Sequence, residues 1–283
     1  MQTLVFVVLK IINDIMADHS CLSALDIDEL IHRFDQSDIV QALILMGSYA
    51  RNEAGPCSDI DLVRFVVKGA KVSDDGTHLF QNRTLITICT VDENDYEKWF
   101  TDPYEATKWI SGLRVARALV DRNGFFTNGL QTRAHDFVWN DEMQSRANIE
   151  ASRRMVDWCE EANKGLEGLR RSNDNGRLLN ACHGLSWGLS EVIQIHRGIL
   201  VSSDNNAFDE IELALGDNER MIDLRRVTFG ITGINTLRQR VLAGLQFFVL
   251  LAEQMFDVWQ EIDHEMIQHT VEKIHHYHPN TSV

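Results

Sequence analysis

Residues 43–62 read Leu-Ile-Leu-Met-Gly-Ser-Tyr-Ala-Arg-Asn-Glu-Ala-Gly-Pro-Cys-Ser-Asp-Ile-Asp-Leu, and no other stretch of the chain is as specific in its chemistry. An apolar run ends at Gly47 and Ser48, and a second apolar run contains Asp59 and Asp61. The first run predicts a buried strand over 40–46, because it is short, apolar and followed by glycine.

The turn after this predicted strand has the features of a phosphate site. Gly47 allows the backbone to turn sharply and to approach a ligand without an intervening Cβ. Ser48 is predicted to cap a short helix that begins at Tyr49. The start of a helix presents N–H groups and a partial positive charge, which favour a phosphate. The Ser48 hydroxyl adds a further donor.

The two aspartates lie in a second predicted strand, over 59–67. Alternate residues of a strand point to the same face, so Asp59 and Asp61 project together while Ile60 and Leu62 pack into the opposite layer. Two neighbouring carboxylates repel each other and favour a cation, and hard oxygen ligands suit Mg²⁺. The pair therefore predicts a magnesium site.

The combined pattern resembles the signature of the nucleotidyltransferase (DNA polymerase β-like) superfamily, which is usually written G-S-x-A-R-G, a short gap, and S-D-I-D-L. The matching residues here are 47–51 and 58–62. The strand and helix order fits more loosely over roughly the first 130 residues. Asn52 stands where the family usually has glycine, a mild change because asparagine also tolerates unusual φ values.

A second departure concerns a third carboxylate, which the family commonly carries on a neighbouring strand. The corresponding strand is predicted over 84–91, and neither of its faces carries an acid. Asp92 follows this strand, and Asp74 and Asp75 lie in the loop before it. Two interpretations remain open: the general base comes from elsewhere, or the activity is weak or lost.

Composition limits the classes of partner. The 283 residues carry a formal net charge of −15, spread over both halves, with no cluster of Lys and Arg. This argues against polynucleotide substrates and favours a cationic small molecule.

The five cysteines form no metal-ligand pair and indicate reduced, mostly buried thiols in the cytosol. The run Leu4 to Leu9 is too short to span a membrane and is predicted to be a first helix. We therefore predict a cytoplasmic protein without nucleic-acid or membrane partners.

Long amphipathic helices are predicted after residue 140. Three apolar stripes with three-four spacing indicate core packing in a helical bundle: Ile149, Ser152, Val156, Cys159 and Leu166; Leu178, Cys182, Leu185, Leu189 and Val192; and Val241, Leu245, Phe248, Ala252, Met255 and Trp259. The predicted fold class is α+β, with a nucleotidyltransferase-type mixed β-sheet and flanking helices followed by an all-α helical bundle.

This layout resembles the aminoglycoside and lincosamide nucleotidyltransferases. The resemblance implies a catalytic domain over 1–140 and a helical substrate-binding domain over 141–283, with ATP and acceptor meeting in the cleft between them. It implies a Mg²⁺-dependent transfer of AMP from ATP to a hydroxyl of the drug, with release of pyrophosphate, and hence antibiotic resistance.

Site residues follow from the same resemblance. Asp59 and Asp61 would hold Mg²⁺ against the triphosphate, and the turn at Gly47 and Ser48 would hold the outer phosphates. Ser58 would position Asp59 or contact a phosphate. Arg51 would either contribute charge to the nucleotide site or form a structural salt bridge.

Glu191 is the first candidate for the general base, ahead of Glu160 and Glu161. Each is otherwise a solvated or salt-bridged helix residue. The spacing places Trp187 and Glu191 on one helix face, where they could stack on and pair with a cationic sugar. The alternative for Trp187 is a side chain that fills the core.

The histidines are weaker candidates for metal ligands than the two aspartates. His275, His276 and His278 are predicted to lie at a solvated helix end, without a partner at ligand spacing. His183 and His196 are each predicted to be hydrogen-bonded structural residues.

Three functions agree with the sequence. The first is a small-molecule nucleotidyltransferase of the antibiotic-modifying kind. The second is a nucleotidyltransferase that adenylylates a protein, as antitoxins of toxin–antitoxin pairs do, although these usually lack a large helical half. The third is a non-catalytic nucleotide-binding protein that keeps the fold but lacks the third acid. The sequence does not determine the oligomeric state.

Overall fold

The computed structural model describes residues 26–72, 76, 78–81, 84–171, 174–233 and 235–277. They form two compact units. The first unit contains the described residues up to Phe100 together with Trp109–Phe137, and the second contains Thr101–Lys108 together with the described residues from Val138 onward. The short segment Thr101–Lys108 therefore groups with the helical unit.

Strands and helices are interspersed in the described chain up to residue 137. The elements are α1 (Ile27–Phe34), β1 (Val40–Leu45), α2 (Gly47–Arg51), β2 (Ile60–Val66), β3 (His78–Gln81), β4 (Thr84–Val91), α3 (Glu93–Tyr96), α4 (Lys98–Thr101), α5 (Pro103–Val115), β5 (Arg117–Asp121), a 3₁₀ turn (Arg122–Gly124), a π-helix (Phe125–Gln131) and α6 (Thr132–His135).

These five strands form a mixed sheet at the centre of the first unit, in the order β3-β4-β2-β1-β5. Strand β2 pairs with β4 in parallel, whereas β1 is antiparallel to both β2 and β5, and β3 is antiparallel to β4.

Successive side chains along each strand point to opposite faces of the sheet, so two separate packed layers form. One face of the sheet packs with α1 in a core that contains Leu30, Phe34, Ile60, Leu62 and, among others, residues of β1 and β4. On the other face of β2, Phe65 contacts several aromatic rings of the first unit. The apolar partners of Asp59 and Asp61 in the sequence pattern are thus buried as predicted.

Local signals place most of these elements correctly. The sequence predicts a helix over 26–34 with Asp26 as its cap. The Asp26 side chain accepts the Glu29 N–H at 3.0 Å and caps α1, which confirms this helix start. Asn52 has φ +61° at the end of α2, the left-handed conformation that asparagine was expected to tolerate. The sequence predicts a hairpin over 80–91 around residues 81–83, and the pairing of Gln81 with Thr84 confirms it.

Two boundaries were predicted wrongly. Helix α2 begins at Gly47 and is preceded by Met46, not by a capping Ser48. The reason is the backbone hydrogen bond from Ala50 N–H to Met46 C=O at 3.3 Å, which closes the first helical turn before Ser48. The sequence also predicts a helix over 103–110 and a strand over 114–121, whereas helix α5 extends to Val115 and the strand begins only at Arg117.

The second unit is all-helical in its described part from Val138 onward. Its elements are α7 (Asp141–Arg170), α8 (Asn175–His183), a π-helical segment (Gly184–Gly188), α9 (Leu189–His196), α10 (Asp204–Leu215), α11 (Glu219–Phe229), α12 (Leu237–Gln254), a 3₁₀ turn (Phe256–Val258) and α13 (Glu261–His275). The predicted α+β fold class with a following helical bundle is therefore confirmed.

Most members of the predicted stripes are buried in the bundle. All five members of the stripe from Leu178 to Val192 are buried, and so are Val241, Leu245, Phe248, Ala252 and Met255. Ile149 is an exception: half of its side chain is exposed, so its assignment to the core was wrong. The buried face of this 30-residue helix runs through Ala147 and Ala151 and does not include position 149.

Across the described residues, no helix combines the length and the apolar character needed to cross a membrane. The first helix predicted around Leu4 to Leu9 lies outside the described residues, as do Cys21, Asp74, Asp75 and His278.

Candidate functional site in the first unit

Asp59 and Asp61 lie at the start of β2, where the parallel pair β2–β4 fixes their surroundings. Asp59 directly precedes the strand, and Asp61 is its second residue. Both side chains are half-buried. Asp61 is the register partner of Thr87 on β4, and the Thr87 hydroxyl lies 3.5 Å from Asp59 Oδ2. Thr87 therefore lies opposite Asp61 and also contacts Asp59. This agrees with the prediction that the two carboxylates point to the same face of the sheet.

Gly47 brings the turn after β1 directly against Asp61. A Cβ built on Gly47 would lie 2.0 Å from Asp61 Oδ2, so no other residue fits without moving the carboxylate. Gly47 also has φ +62°, a conformation that L side chains rarely adopt. The backbone N–H of Met46 donates to the Asp61 carbonyl at 2.8 Å and ties the two segments together. The predicted phosphate turn and one predicted metal ligand are therefore in contact.

Thr87 is the site residue that the sequence analysis did not identify. Its face of β4 was recognised as lacking an acid, but only the register shows that Thr87 is the residue facing the aspartates. Among the described residues, no group of three or more His, Cys, Asp or Glu side chains could hold a metal ion. The described part of the site is thus two carboxylates with a neighbouring hydroxyl.

This donor set fits Mg²⁺. Magnesium is usually bound by one or two carboxylates together with water and substrate phosphates, so two aspartates suffice without a full protein cage. The contact of Gly47 with Asp61 leaves the carboxylate beside a glycine turn, a suitable position for a nucleotide phosphate. The residues that would hold the ion are Asp59 and Asp61.

Arg51 and Ser58 have structural partners. Arg51 Nε lies 2.6 Å from Glu53 Oε2, which supports the salt-bridge alternative for this arginine. Ser58 Oγ accepts the Gly55 N–H at 2.9 Å and closes the turn before Asp59. Ser58 therefore fixes the backbone that leads to Asp59, and the nucleotide contacts predicted for both side chains stay predictions.

Asp92, one of the acids considered near β4, serves as a helix cap. It accepts the Asn94 N–H at 2.8 Å, and its own N–H donates to Asp95. Hydrogen bonds from the Gly69 and Asn94 N–H groups hold the pKa of Asp92 below its usual value. Its ionised carboxylate is thus committed to backbone donors.

Trp187 and Glu191 both line one cavity of the second unit, as their helical spacing suggested. Trp187 is 54% exposed, so the alternative in which it fills the core is wrong. Glu191 forms an ion pair with Arg154, which also donates to Glu150 Oε1 at 2.8 Å. Glu191 therefore has a structural partner, and its role as general base stays a prediction.

The other candidates of the second unit also have structural roles. Glu160 and Glu161 both pair with Lys164, at 2.8 and 2.7 Å. His196 Nδ1 lies 3.2 Å from Asn148 Oδ1, and burial lowers the pKa of this imidazole. His276 Nδ1 lies 2.7 Å from the carbonyl oxygen of Glu272 at the end of α13.

The mixed sheet, the glycine turn and the aspartate pair define a nucleotidyltransferase-type domain. A family model described as nucleotidyltransferase domain matches residues 27–110. The structure is similar to that of a nucleotidyltransferase-like protein from Exiguobacterium sibiricum, with a TM-score of 0.50 and 14% identity over 87% of this chain and 78% of that chain. No curated protein sequence matches the chain. Residues 27–110 therefore form a nucleotidyltransferase domain, and the likeness to the solved structure supports its fold.

Proposed function

We propose that this protein is a Mg²⁺-dependent nucleotidyltransferase that moves AMP from ATP to a hydroxyl of a small molecule and releases pyrophosphate. The observation that carries the proposal is the contact between Gly47 and Asp61. It joins a glycine turn of the phosphate-binding kind to one of the two aspartates that lie together at the start of β2.

The chain's own residues have separate tasks in this reaction. Asp59 and Asp61 bind the metal–triphosphate complex through their carboxylates, and Ser48 with the N–H groups of its turn binds the outer phosphates. When bound, Mg²⁺ neutralises charge at the reacting phosphorus and on the leaving pyrophosphate. Thr87 and Ser58 hold the aspartates in place. Alignment of the acceptor hydroxyl behind the phosphorus supplies the remaining catalysis.

The acceptor is proposed to be a small, cationic molecule such as an aminoglycoside-type antibiotic. The formal charge of −15 supports a cationic partner, because an acidic surface attracts positive ligands and repels polynucleotides. The large helical unit supports a dedicated binding site for such an acceptor. Incubation with radiolabelled ATP and a panel of aminoglycosides, lincosamides or cell lysate would identify the acceptor class.

Titration with ATP tests the nucleotide site itself. Calorimetry with Mg²⁺ is expected to show saturable binding that Asp59→Asn with Asp61→Asn weakens at least 50-fold. The matched control is Asp28→Asn with Asp38→Asn, which removes the same charge from exposed positions of the first unit. Equal binding by the site variant, or equal binding without Mg²⁺, would contradict the proposal.

A second candidate is a non-catalytic protein that binds nucleotide on the same fold. Thr87 favours this non-catalytic candidate. Its hydroxyl lies on β4 beside the two aspartates, at a position where a carboxylate would act as a general base or as a further metal ligand. The two candidates differ in one measurement. Mg²⁺-dependent ATP binding without pyrophosphate release in the presence of every acceptor of the panel would support the non-catalytic candidate.

A further inference from the structure

A cavity of about 490 Å³ lies within the second unit. Its volume falls in the range of about 300–1,000 Å³ that is typical of small-molecule sites. Trp158, Trp187 and Phe208 contribute aromatic surface to its wall. Trp187 contacts Phe229 edge-on at 5.0 Å between ring centroids, and more than half of its surface stays exposed. The cavity is therefore large enough for a small molecule, and the exposed indole of Trp187 lies on its wall.

The backbone beside the cavity is unusual. Trp187 and Gly188 belong to the π-helical segment between α8 and α9. A Cβ built on Gly188 would lie 2.1 Å from Trp158 Cε2, so the segment packs directly on the indole of α7. Short π-helical insertions in helices occur frequently at functional sites. Here the insertion sets the position of Trp187 on the cavity wall.

Two acidic and two basic side chains line the wall, so the cavity has no excess of either charge. Glu191, one of the acids, is paired with Arg154. Lys108, one of the bases, has its ammonium 3.5 Å from the centroid of the Tyr104 ring. Asp204 is exposed at the start of α10. These partners leave little unbalanced charge for a charged ligand to neutralise.

Arg225, the second basic group, is buried and already bound from several sides. It donates to Ser190 Oγ at 2.9 Å and to the Phe208 carbonyl at 3.0 Å, and it lies 3.9 Å from Glu212. Burial lowers the pKa of Arg225 to about 10, so the guanidinium remains charged at neutral pH and stabilises the wall.

One polar group at the cavity lacks a partner. The indole Nε1 of Trp158 is buried and has no hydrogen-bond partner within the described part of the chain. A buried donor without an acceptor costs about 1–3 kcal/mol, so this indole locally destabilises the cavity wall.

We propose that this cavity binds an uncharged, ring-containing small molecule, which stacks on Trp187. Stacking and apolar contact supply the affinity, since the charged side chains of the wall are balanced. This ligand is uncharged and is therefore distinct from the cationic acceptor of the proposed function, so its binding does not depend on that function.

Binding of N-phenyl-1-naphthylamine, an uncharged aromatic fluorophore, tests the proposal without ATP or Mg²⁺. We expect saturable one-to-one binding to the full chain. Ala207→Phe fills the cavity from α10 and is expected to weaken binding at least tenfold. Trp187→Ala removes a largely exposed ring and is expected to weaken it at least fivefold.

Matched controls separate loss of the cavity from loss of the fold. Ala214→Phe adds the same ring at an exposed position of α10 outside the cavity and should bind within twofold of the wild type. 1-Anilinonaphthalene-8-sulfonate, which adds a negative charge to the same ring skeleton, should bind at least tenfold more weakly. Absence of saturable binding, or equal binding by Ala207→Phe, would overturn the proposal while leaving the ATP titration unaffected.

Discussion

Thr87 and Asp61 are register partners across the parallel strands β2 and β4, and the Thr87 hydroxyl lies 3.5 Å from Asp59 Oδ2. This threonine therefore stands beside both predicted metal ligands. Since its side chain is neutral, Thr87 adds no charge to that of the two aspartates.

Thr87→Asp is expected to create a three-carboxylate site. Repulsion among the acids should lower the free energy of unfolding of the metal-free protein by about 1–2 kcal/mol. Affinity for Mn²⁺, a spectroscopic substitute for Mg²⁺, should rise at least tenfold in titrations followed by electron paramagnetic resonance. Thr84→Asp, on the opposite face of β4, serves as control. Equal affinities in both variants would show that Thr87 does not face the metal site.

Gly47→Ala is expected to disturb the carboxylate of Asp61. The added Cβ would lie 2.0 Å from Oδ2, and φ +62° is unfavourable for alanine. We expect a loss of about 1–3 kcal/mol in the free energy of unfolding and at least tenfold weaker ATP binding. Gly55→Ala is the control, because nothing lies within 4 Å of its added Cβ. Denaturant titration and calorimetry measure both effects, and unchanged binding in Gly47→Ala would refute the predicted contact.

Glu191→Gln distinguishes a general base from an ion-pair partner. Loss of a general base lowers kcat about 10²–10⁴-fold and removes the acidic limb of the pH–rate profile. Loss of the ion pair with Arg154 should instead lower the free energy of unfolding by about 1 kcal/mol and leave the profile unchanged, because both side chains are only partly buried. Stopped assays across the pH range decide between these outcomes, and Glu150→Gln, which also removes a partner of Arg154, is the control.

Stability should depend on pH through His196. Burial lowers the pKa of His196 in the folded protein below its ordinary value of 6.5, so the unfolded chain takes up a proton first as the pH falls. The stabilising contribution is therefore present above about pH 6.5 and is lost progressively below it, by at most about 1.4 kcal/mol per pH unit. His196→Asn should flatten this dependence between pH 5 and about 6.5, measured by denaturant titration. Replacement of the exposed His32 by Asn should leave the slope unchanged; the same slope in both variants would exclude His196 as its source.

Local chemistry made much of the first unit predictable. Asp26 caps α1 because its side chain reaches the Glu29 N–H only three residues away, and Asn52 adopts φ +61° because of its own side-chain chemistry. The alternation around Asp59 and Asp61 likewise follows from the period of a single strand. Boundaries were less predictable: the hydrogen bond from Ala50 N–H to Met46 C=O places the start of α2 at Gly47, before Ser48.

Pairing between distant segments was not predictable in the same way. The role of Thr87 depends on the parallel register of β4 with β2, which no local pattern encodes. The partner of Glu191 is Arg154, which belongs to another helix. The exposure of Trp187 depends on a π-helical insertion that helical spacing does not reveal.

By itself, the sequence determined the superfamily signature, the glycine turn and the common face of two aspartates, because these depend on residues close together in the chain. Tertiary structure decided which side chain stands opposite Asp61 and where the helical unit leaves a cavity. Strand register and helix packing bring together groups far apart in sequence, and the free energy that selects those arrangements is spread over the whole core.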